Sequence, residues 1–429
     1  MSLREINFDG IVGPSHNYAG LSAGNIASTN NYGSVSRPRE AALQGVEKMR
    51  ANLRLGLAQG FFMPHLRPNR PWLDALGVGA QERIPDSLIG AAWSASAMWA
   101  ANAATVSPAP DTADGRCHLT VANLRTMHHR AHEWIETLMQ LRMAFSNERH
   151  FAVNSPIQAT FGDEGAANHM RLAPRHDARG VEVFVYGIAG GPYPVRQHVE
   201  ASRAIARLHR LDPNQTLFVA QSEEAIAAGA FHNDVVAVAN EHVLFAHEQA
   251  FANKGYFYND LRRLLPEVEI VEVPASRVSL DDAVSSYLFN AQLVTLPSGG
   301  MALILPEEAR ANPAVSGFLQ ELVAGLFGFS FGAAAAHAPA THRSPAVHGS
   351  PSLHAASAAT ATTPPRALSD VASRSPNIPS VLSAVTATTR MSPGCNCSIA
   401  TCSIQLSPGC ASTVTAEPAT TAPAKIGRM

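Results

Sequence analysis

Two side chains that could transfer a proton or hold a cation lie two residues apart, at His232 and Asp234. The stretch around them, 229–240, is rich in valine and alanine and predicts a strand. If the strand already begins at His232, its period of two places both side chains on one face. The imidazole could then move protons near neutral pH, and the carboxylate could bind a cation. The alternative is a polar strand end that faces water.

A second polar stretch has two carboxylates enclosed by glycines, Gly162-Asp-Glu-Gly-Ala-Ala-Asn-His169. The small residues after Gly165 predict the start of a helix. Two acidic groups ahead of a helix could bind a cationic ligand. They could equally be an acidic first turn that the helix dipole favours. Because this acidic stretch occurs in the same chain as His232 and Asp234, we favour ligand binding over a purely structural turn.

The elements that position these residues alternate between helices and hairpins. Strands are predicted at 6–12, 98–106, 117–123, 182–188, 216–220 and 269–273, with hairpins over 235–247 and 292–305. Helices are predicted from a Ser36 cap to Gly60, over 131–144, 199–208, 223–228 and 259–265, and from Ser279. Hairpins within the series favour small mixed sheets over one doubly wound parallel sheet. Several such units around a centre would form an α/β propeller with function at its central mouth.

Composition excludes several classes of function. Charged residues make up 15% of the chain and the formal net charge is −2, so neither nucleic acid nor an anionic membrane is an expected partner. The longest uncharged run, 87–110, is too weakly apolar for a membrane span, and the N-terminus lacks a signal peptide. Only Cys117 among the five cysteines precedes residue 330, which indicates a reducing, cytoplasmic location. No nucleotide or metal motif occurs, so no cofactor and no metal are predicted.

The composition changes near residue 330. Ala, Ser, Thr and Pro dominate 330–429 without helical or strand periodicity, which predicts a disordered tail after a folded domain at 1–329. The spacing of the tail cysteines matches no zinc or iron–sulfur pattern; they are Cys395, Cys397, Cys402 and Cys410.

Six stretches together resemble the succinylarginine dihydrolase family, over about three-quarters of the chain. They are Asn7-Phe-Asp-Gly-Ile-Val-Gly13, 16–28, Ala101-Asn-Ala-Ala-Thr105, His118-Leu-Thr-Val-Ala-Asn123, 162–169 and Phe231-His-Asn-Asp-Val235. The resemblance implies a pentein fold, a five-bladed α/β propeller whose last blade is incomplete here. It implies hydrolysis of N2-succinylarginine to N2-succinylornithine, two ammonia and carbon dioxide in arginine catabolism. It also implies a homodimer that needs no cofactor.

The resemblance assigns roles to individual residues. It implies that Glu164 and His232 are catalytic and that Asp234 binds substrate, since carboxylates hold a planar guanidinium through paired hydrogen bonds. The succinyl carboxylate needs cationic partners, which His129, Arg130 and Arg196 would supply. For the two arginines the alternative is an ordinary surface position. The remaining implied substrate-binding residues are Asn102 and the loop Ala19, Gly20, Leu21, Ser22, Ala23, Gly24, Asn25, Ile26, Ala27 and Ser28.

The resemblance ends near residue 329. The family nucleophile is a cysteine in an Asn-Gly-Gly-Gly-Pro-Ala-Cys context near the C-terminus, and this sequence has no such stretch. Cys117 lies in another motif and is predicted to be in the core. One hypothesis is a frameshift near codon 330, because a GC-rich gene read out of frame encodes many Ala, Pro, Ser and Thr residues. The alternatives are an inactive chain that binds substrate or pairs with an intact subunit, and another guanidine enzyme such as an arginine deiminase or amidinotransferase.

Overall fold

The computed structural model describes residues 5–18, 32–95, 100, 103–163, 165–187, 197–230, 232–323 and 382–385. The strands are β1 Ile6–Gly10, β2 Ala58–Phe62, β3 Ala104–Ser107, β4 Cys117–Val121, β5 Phe151–Asn154, β6 His169–Leu172, β7 Val181–Tyr186, β8 Thr216–Ala220, β9 Ala237–Asn240, β10 Val243–His247, β11 Glu269–Val273, β12 Gln292–Thr295, β13 Met301–Ile304 and β14 Leu382–Val385. The helices are α1 Pro38–Arg54, α2 Arg70–Ala75, α3 Asp86–Ala92, α4 Trp134–Ala144, α5 Val199–Leu208, α6 Glu223–Ala227, α7 Lys254–Leu264, α8 Leu280–Ser285, α9 Glu307–Ala311 and α10 Pro313–Val323.

Four three-stranded sheets share one plan. In each, the first strand pairs antiparallel with the second, and the third pairs parallel with the second after an intervening helix. In the β9–β10–β11 sheet, for example, Val243 pairs with Asn240 on one side and Glu269 on the other. The other three are β3–β4–β5, β6–β7–β8 and β12–β13–β14. The prediction of small mixed sheets is therefore confirmed.

The fifth sheet, β1–β2, is parallel and has two strands among the described residues. It contacts two other sheets. Gln292 on β12 donates a hydrogen bond to Asn7 Oδ1 on β1 at 3.0 Å, and Phe62 shares an apolar cluster with Leu119 of β4. Elsewhere β9 lies against both β6 and β12, and the turn that precedes β6 contacts β3. Each sheet thus contacts the next in chain order, and β1–β2 contacts the first and the last of the four.

The cores lie between sheets and helices. The central strands are the most buried, and all five residues of β10 and of β4 are enclosed. Phe245 of β10 packs on Phe289 with ring centroids 5.0 Å apart. Cys117 is 2% exposed, as predicted for a core position. None of the helices in the described ranges combines the length and apolarity that crossing a bilayer requires.

The hairpin of β9 and β10 is confirmed, but its first strand begins later than His232. A 3₁₀ turn at Asn233–Val235 precedes β9. It is closed by the Val236 N–H, which donates to the Asn233 carbonyl at 2.9 Å. His232 and Asp234 therefore do not share a strand face, because a 3₁₀ turn lacks the two-residue alternation of a strand.

The first helix ends earlier than predicted. α1 ends at Arg54, and Gly56 follows with φ +79, a conformation that glycine adopts at little cost. Gly60, predicted to end the helix, lies within β2. A Cβ atom at Gly60 would come within 2.5 Å of the Phe8 ring, so this glycine permits β1 and β2 to pack closely. The predicted Ser36 cap is also wrong, since the N-cap is Arg37.

Several strands have no local signal in the sequence. β2, β5 and β6 were not predicted, and the residues predicted to begin a helix after Gly165 form only a 3₁₀ turn, Ala166–Asn168, before β6. Of the predicted strand at 98–106, the structure describes β3; 96–99, 101 and 102 lie outside the described residues. In the tail the structure describes β14, which pairs parallel with β13. The rest of the tail lies outside the described residues, and its disorder and the 1–329 domain stay predictions.

Candidate functional site

The segment 162–169 is bonded to the residues just ahead of the turn that carries His129 and Arg130. Asp163 accepts two hydrogen bonds from Thr126, from the backbone N–H at 2.6 Å and from the hydroxyl at 2.5 Å. Asn123 Nδ2 donates to the Gly162 carbonyl at 3.2 Å. The carboxylate of Asp163 is therefore a structural anchor of the turn, and its 2% exposure agrees with that role.

The same segment is bonded to two further stretches with predicted site residues. The Gly165 N–H donates to Gln197 Oε1 at 3.3 Å, and Gln197 is the residue after Arg196. The Asn233 N–H donates to Asn168 Oδ1 at 3.0 Å, at the start of the 3₁₀ turn before β9. Hydrogen bonds therefore join three distant parts of the chain to one short segment.

His232 and Asp234 are buried on either side of Asn233, at 8% and 6% exposure. Amide side chains hold the backbone of their turn. Gln221 Nε2 lies 3.5 Å from the His232 carbonyl, and Asn290 Nδ2 donates to the Asp234 carbonyl at 3.2 Å. A backbone anchored at both residues limits the directions that the imidazole and the carboxylate can take.

His129 and Arg130 lie on a tight turn ahead of α4. The Arg130 N–H donates to the Met127 carbonyl at 2.8 Å. His129 is buried, whereas Arg130 is partly exposed. A cationic side chain at the surface of a turn that is bonded to Asp163 could reach an anionic ligand beside that segment.

Four of the sequence predictions fall outside the described residues: Glu164, Asn102, Arg196 and the loop 19–28. The described residues on either side of that loop contact each other. The Tyr18 N–H donates to Ser36 Oγ at 3.0 Å, and the Arg37 N–H donates to Tyr18 Oη at 2.8 Å. The two ends of 19–31 are thus joined where the chain enters and leaves it.

The sequence did not indicate a buried charged cluster that lies beside the His129–Arg130 turn. It comprises His16, His65, Arg67, His132 and Glu133, all enclosed. The pKa of Glu133 is raised to about 7, because the effect of burial outweighs the opposing effect of the Arg67 charge at 2.9 Å. Burial and the Arg67 charge lower the pKa of His132 to about 4, so this imidazole is neutral at pH 7. No local pattern distinguishes Arg67 in the sequence from a surface arginine.

Glu133 should make the folding stability depend on pH. Its pKa is raised from the ordinary 4.5 to about 7, so the folded chain keeps a proton that the unfolded chain loses. Stability should therefore fall as pH rises from about 4.5 to about 7. Glu133→Gln removes this slope. The difference in the free energy of unfolding, variant minus parent, should therefore rise by roughly 3 kcal/mol between pH 4.5 and pH 7.

Urea unfolding at several pH values measures this difference. Glu136→Gln is the matched control, since Glu136 also bonds Arg67 at 2.8 Å but its side chain is 28% exposed. The control should keep the slope of the parent. Parallel profiles for the Glu133 variant and the parent would contradict a titration at Glu133.

Within the described ranges, no three His, Cys, Asp or Glu side chains are grouped so that they could hold a metal ion. The absence of a metal and of a cofactor stays a prediction. The described part of the site instead offers an imidazole, the Asp234 carboxylate and a cationic turn, which together suit a ligand with positive and negative ends.

Comparison with known proteins identifies the family. A model of the succinylarginine dihydrolase family matches residues 2–327. The N-succinylarginine dihydrolase of Sphingopyxis alaskensis is 65% identical over 323 residues, 75% of this chain and 77% of that protein. That of Acinetobacter baylyi is 48% identical over 344 residues, with the same two shares. A solved amidinotransferase from Microseira wollei has a TM-score of 0.43 at 10% identity, over 74% of this chain and 87% of that one; this likeness is too weak to add to the assignment. On its sequence, this chain belongs to the succinylarginine dihydrolase family, a family of hydrolases.

Proposed function

We propose that this chain binds N2-succinylarginine and has the residues to orient it for hydrolysis to N2-succinylornithine, two ammonia and carbon dioxide. The observation that carries the proposal is the bonding of Gly162–His169 to three other stretches, at Thr126, Gln197 and Asn233. Each of these partners lies within four residues of a predicted site residue. Substrate-binding groups from four distant parts of the chain would then surround one ligand.

The guanidinium end would lie at Asp234 and Glu164. A guanidinium is planar and cationic, and carboxylates bind it through paired, charge-assisted hydrogen bonds. His232, next to Asp234 on the same turn, would carry protons to departing ammonia and accept them from entering water. Three C–N bonds of the guanidinium break in turn. Two waters are consumed, one for each of the two bonds that release ammonia. The third C–N bond then breaks without water and releases the amine and carbon dioxide.

The succinyl end would lie at His129, Arg130 and Arg196. A carboxylate gains most from cationic donors with a fixed geometry, and the guanidinium fork of arginine provides that. The loop 19–28 and Asn102 would complete this end of the site. A free-arginine enzyme would need no such set, which favours a succinylated substrate over arginine itself.

The five sheets would form a propeller around one centre. The contacts between consecutive sheets, and between β1–β2 and both neighbours, support a closed ring. Within the described ranges β1 and β2 correspond to the second and third strands of the common plan, so theirs would be the incomplete blade. A homodimer remains a prediction from the resemblance, and a cytoplasmic location remains a prediction from the cysteine pattern.

Binding without turnover is the second candidate, and the cysteines favour it. Cys117 is buried in β4, and the four others stand in the tail, none in the glycine-rich context of the family nucleophile. A frameshift near codon 330 would account for this. The DNA tests it directly, because an alternative frame beyond codon 330 should encode an Asn-Gly-Gly-Gly-Pro-Ala-Cys-like stretch. If neither frame does, the frameshift explanation is wrong.

Calorimetric titration tests the binding proposal. The chain should bind N2-succinylarginine, and Arg196→Ala should weaken that binding by about 1.5–3 kcal/mol, the range for a charged hydrogen bond. Arg207→Ala, on the exposed face of α5, is the matched control and should leave the affinity unchanged. Equal affinities of the Arg196 variant and the parent would show that Arg196 is a surface residue.

A further inference from the structure

The side chain of Arg67 is completely enclosed, with an exposure of 0%. A guanidinium has five N–H donors, and each of these has an acceptor. They are the Ser94 carbonyl at 2.7 Å from Nε, the Leu66 carbonyl and Glu136, both at 2.8 Å from Nη1, and Glu133 at 2.9 Å and His65 Nδ1 at 3.4 Å from Nη2. Because every N–H of this planar guanidinium donates a hydrogen bond, the group fixes the relative positions of its acceptors.

One of these acceptors supports the turn with the predicted succinyl-binding residues. Glu133 lies three residues after Arg130, and its N–H donates to the Arg130 carbonyl at 3.2 Å. Its neighbour His132 is held as well, by Asn69 Nδ2 at 2.8 Å from its Nδ1 and by the Ala91 carbonyl at 3.1 Å from its Nε2. The end of the turn is therefore attached to a rigid buried cluster.

Another acceptor supports the entry to the predicted substrate loop. Ser94 forms a parallel bridge with Asn17, two residues before Ala19. The Asn17 N–H donates to the Trp93 carbonyl at 2.6 Å, and the Ala95 N–H donates back to the Asn17 carbonyl at 2.9 Å. The guanidinium that holds the Ser94 carbonyl thus also holds the segment from which the loop starts.

We infer that Arg67 is a positioning residue for the succinyl end of the ligand, through Glu133 to the His129–Arg130 turn and through Ser94 to the segment that contains Asn17. The inference rests on the proposed function. None of the hydrogen bonds of the Arg67 side chain in the described residues reaches the turn of His232 and Asp234. Arg67 therefore acts on one end of the ligand and leaves recognition of the guanidinium end unchanged.

The test is Arg67→Lys, which keeps the charge and loses the fork. N2-Succinylarginine and N2-succinylornithine share the succinyl group, so both should bind about tenfold more weakly, within the range for residues coupled in one network. The ratio of their two affinities should stay that of the parent. Arg70→Lys is the matched control, because Arg70 bonds Asp74 and the Val78 carbonyl on the outside of α2. It should change neither affinity.

Glu133→Ala removes the acceptor of Arg67 Nη2 and serves as the second variant if Arg67→Lys does not fold. Hydrogen exchange on ligand-free Arg67→Lys should speed up at 13–18, 93–95 and 127–133 and stay unchanged in β10, and exchange on ligand-free Glu133→Ala should speed up at 127–133. The inference would be overturned if a folded variant kept both affinities unchanged. It would also be overturned if the affinity for N2-succinylarginine fell more than the affinity for N2-succinylornithine. If the parent binds neither ligand, the proposed function fails and the ligand role of Arg67 with it. Exchange that stays slow in all three segments would separately refute the positioning itself.

Discussion

N2-Succinylarginine incubated with this chain is expected to release essentially no ammonia. An imidazole and two carboxylates can orient a guanidinium and move protons, but they supply no soft nucleophile to attack its carbon. Losing the covalent step of a nucleophilic enzyme commonly lowers the rate by several orders of magnitude. Cys117 cannot replace the nucleophile, because it is 2% exposed within β4.

The tail cysteines are not expected to replace it either. Productive attack needs a sulfur held about 3–3.5 Å from the reacting carbon, and a tail with the composition of 330–429 is not expected to hold one there. Replacing 330–429 with the C-terminal segment of a family member, which contains an Asn-Gly-Gly-Gly-Pro-Ala-Cys stretch, gives a repaired chain. This repaired chain should turn over the substrate. Changing that single cysteine to serine should abolish it again.

Coupled ammonia assays on four proteins decide the point: the chain, the repaired chain, the repaired chain with serine, and the chain with serine at 395, 397, 402 and 410. Turnover by the unrepaired chain that survives the four tail substitutions would overturn this mechanism. It would direct attention to Cys117 or to attack by water without a covalent intermediate.

Removing the charge of Asp234 is expected to weaken the preference for a guanidinium. The parent should bind N2-succinylarginine more tightly than N2-succinylornithine, which lacks the guanidinium. A charged hydrogen bond contributes about 1.5–3 kcal/mol, so Asp234→Asn should lower the preference by roughly 10- to 100-fold. The affinity for N2-succinylornithine should change little.

The substitution is nearly isosteric, and the backbone bond from Asn290 to the Asp234 carbonyl does not depend on the side chain. Asp281→Asn, at an exposed position in the first turn of α8, is the control. Titration calorimetry with both ligands measures all the affinities. Equal binding of the two ligands by the parent would refute the assignment of Asp234 and Glu164 to the guanidinium.

Local sequence determined much of this protein. The bounds of α5, β8 and β11 agree with the predicted 199–208, 216–220 and 269–273, because amphipathic periodicity and turn residues act over a few neighbours. Both predicted hairpins formed for the same reason. The Ser279 cap formed too, since its hydroxyl accepts from the Asp282 N–H only three residues away. The family resemblance rested on motifs that are likewise contiguous.

Tertiary contacts decided the rest. Gly56 rather than Gly60 ends α1, because β2 must pair with β1, some fifty residues earlier in the chain. His232 and Asp234 lie at a 3₁₀ turn whose first N–H, that of Asn233, bonds Asn168, 65 residues away. Arg67 is an internal anchor only because Ser94 and Glu133, 27 and 66 residues further on, fold around it. A residue's neighbours along the chain set its helix, strand or turn preference, whereas its burial and bonding partners depend on segments that meet only in the folded state.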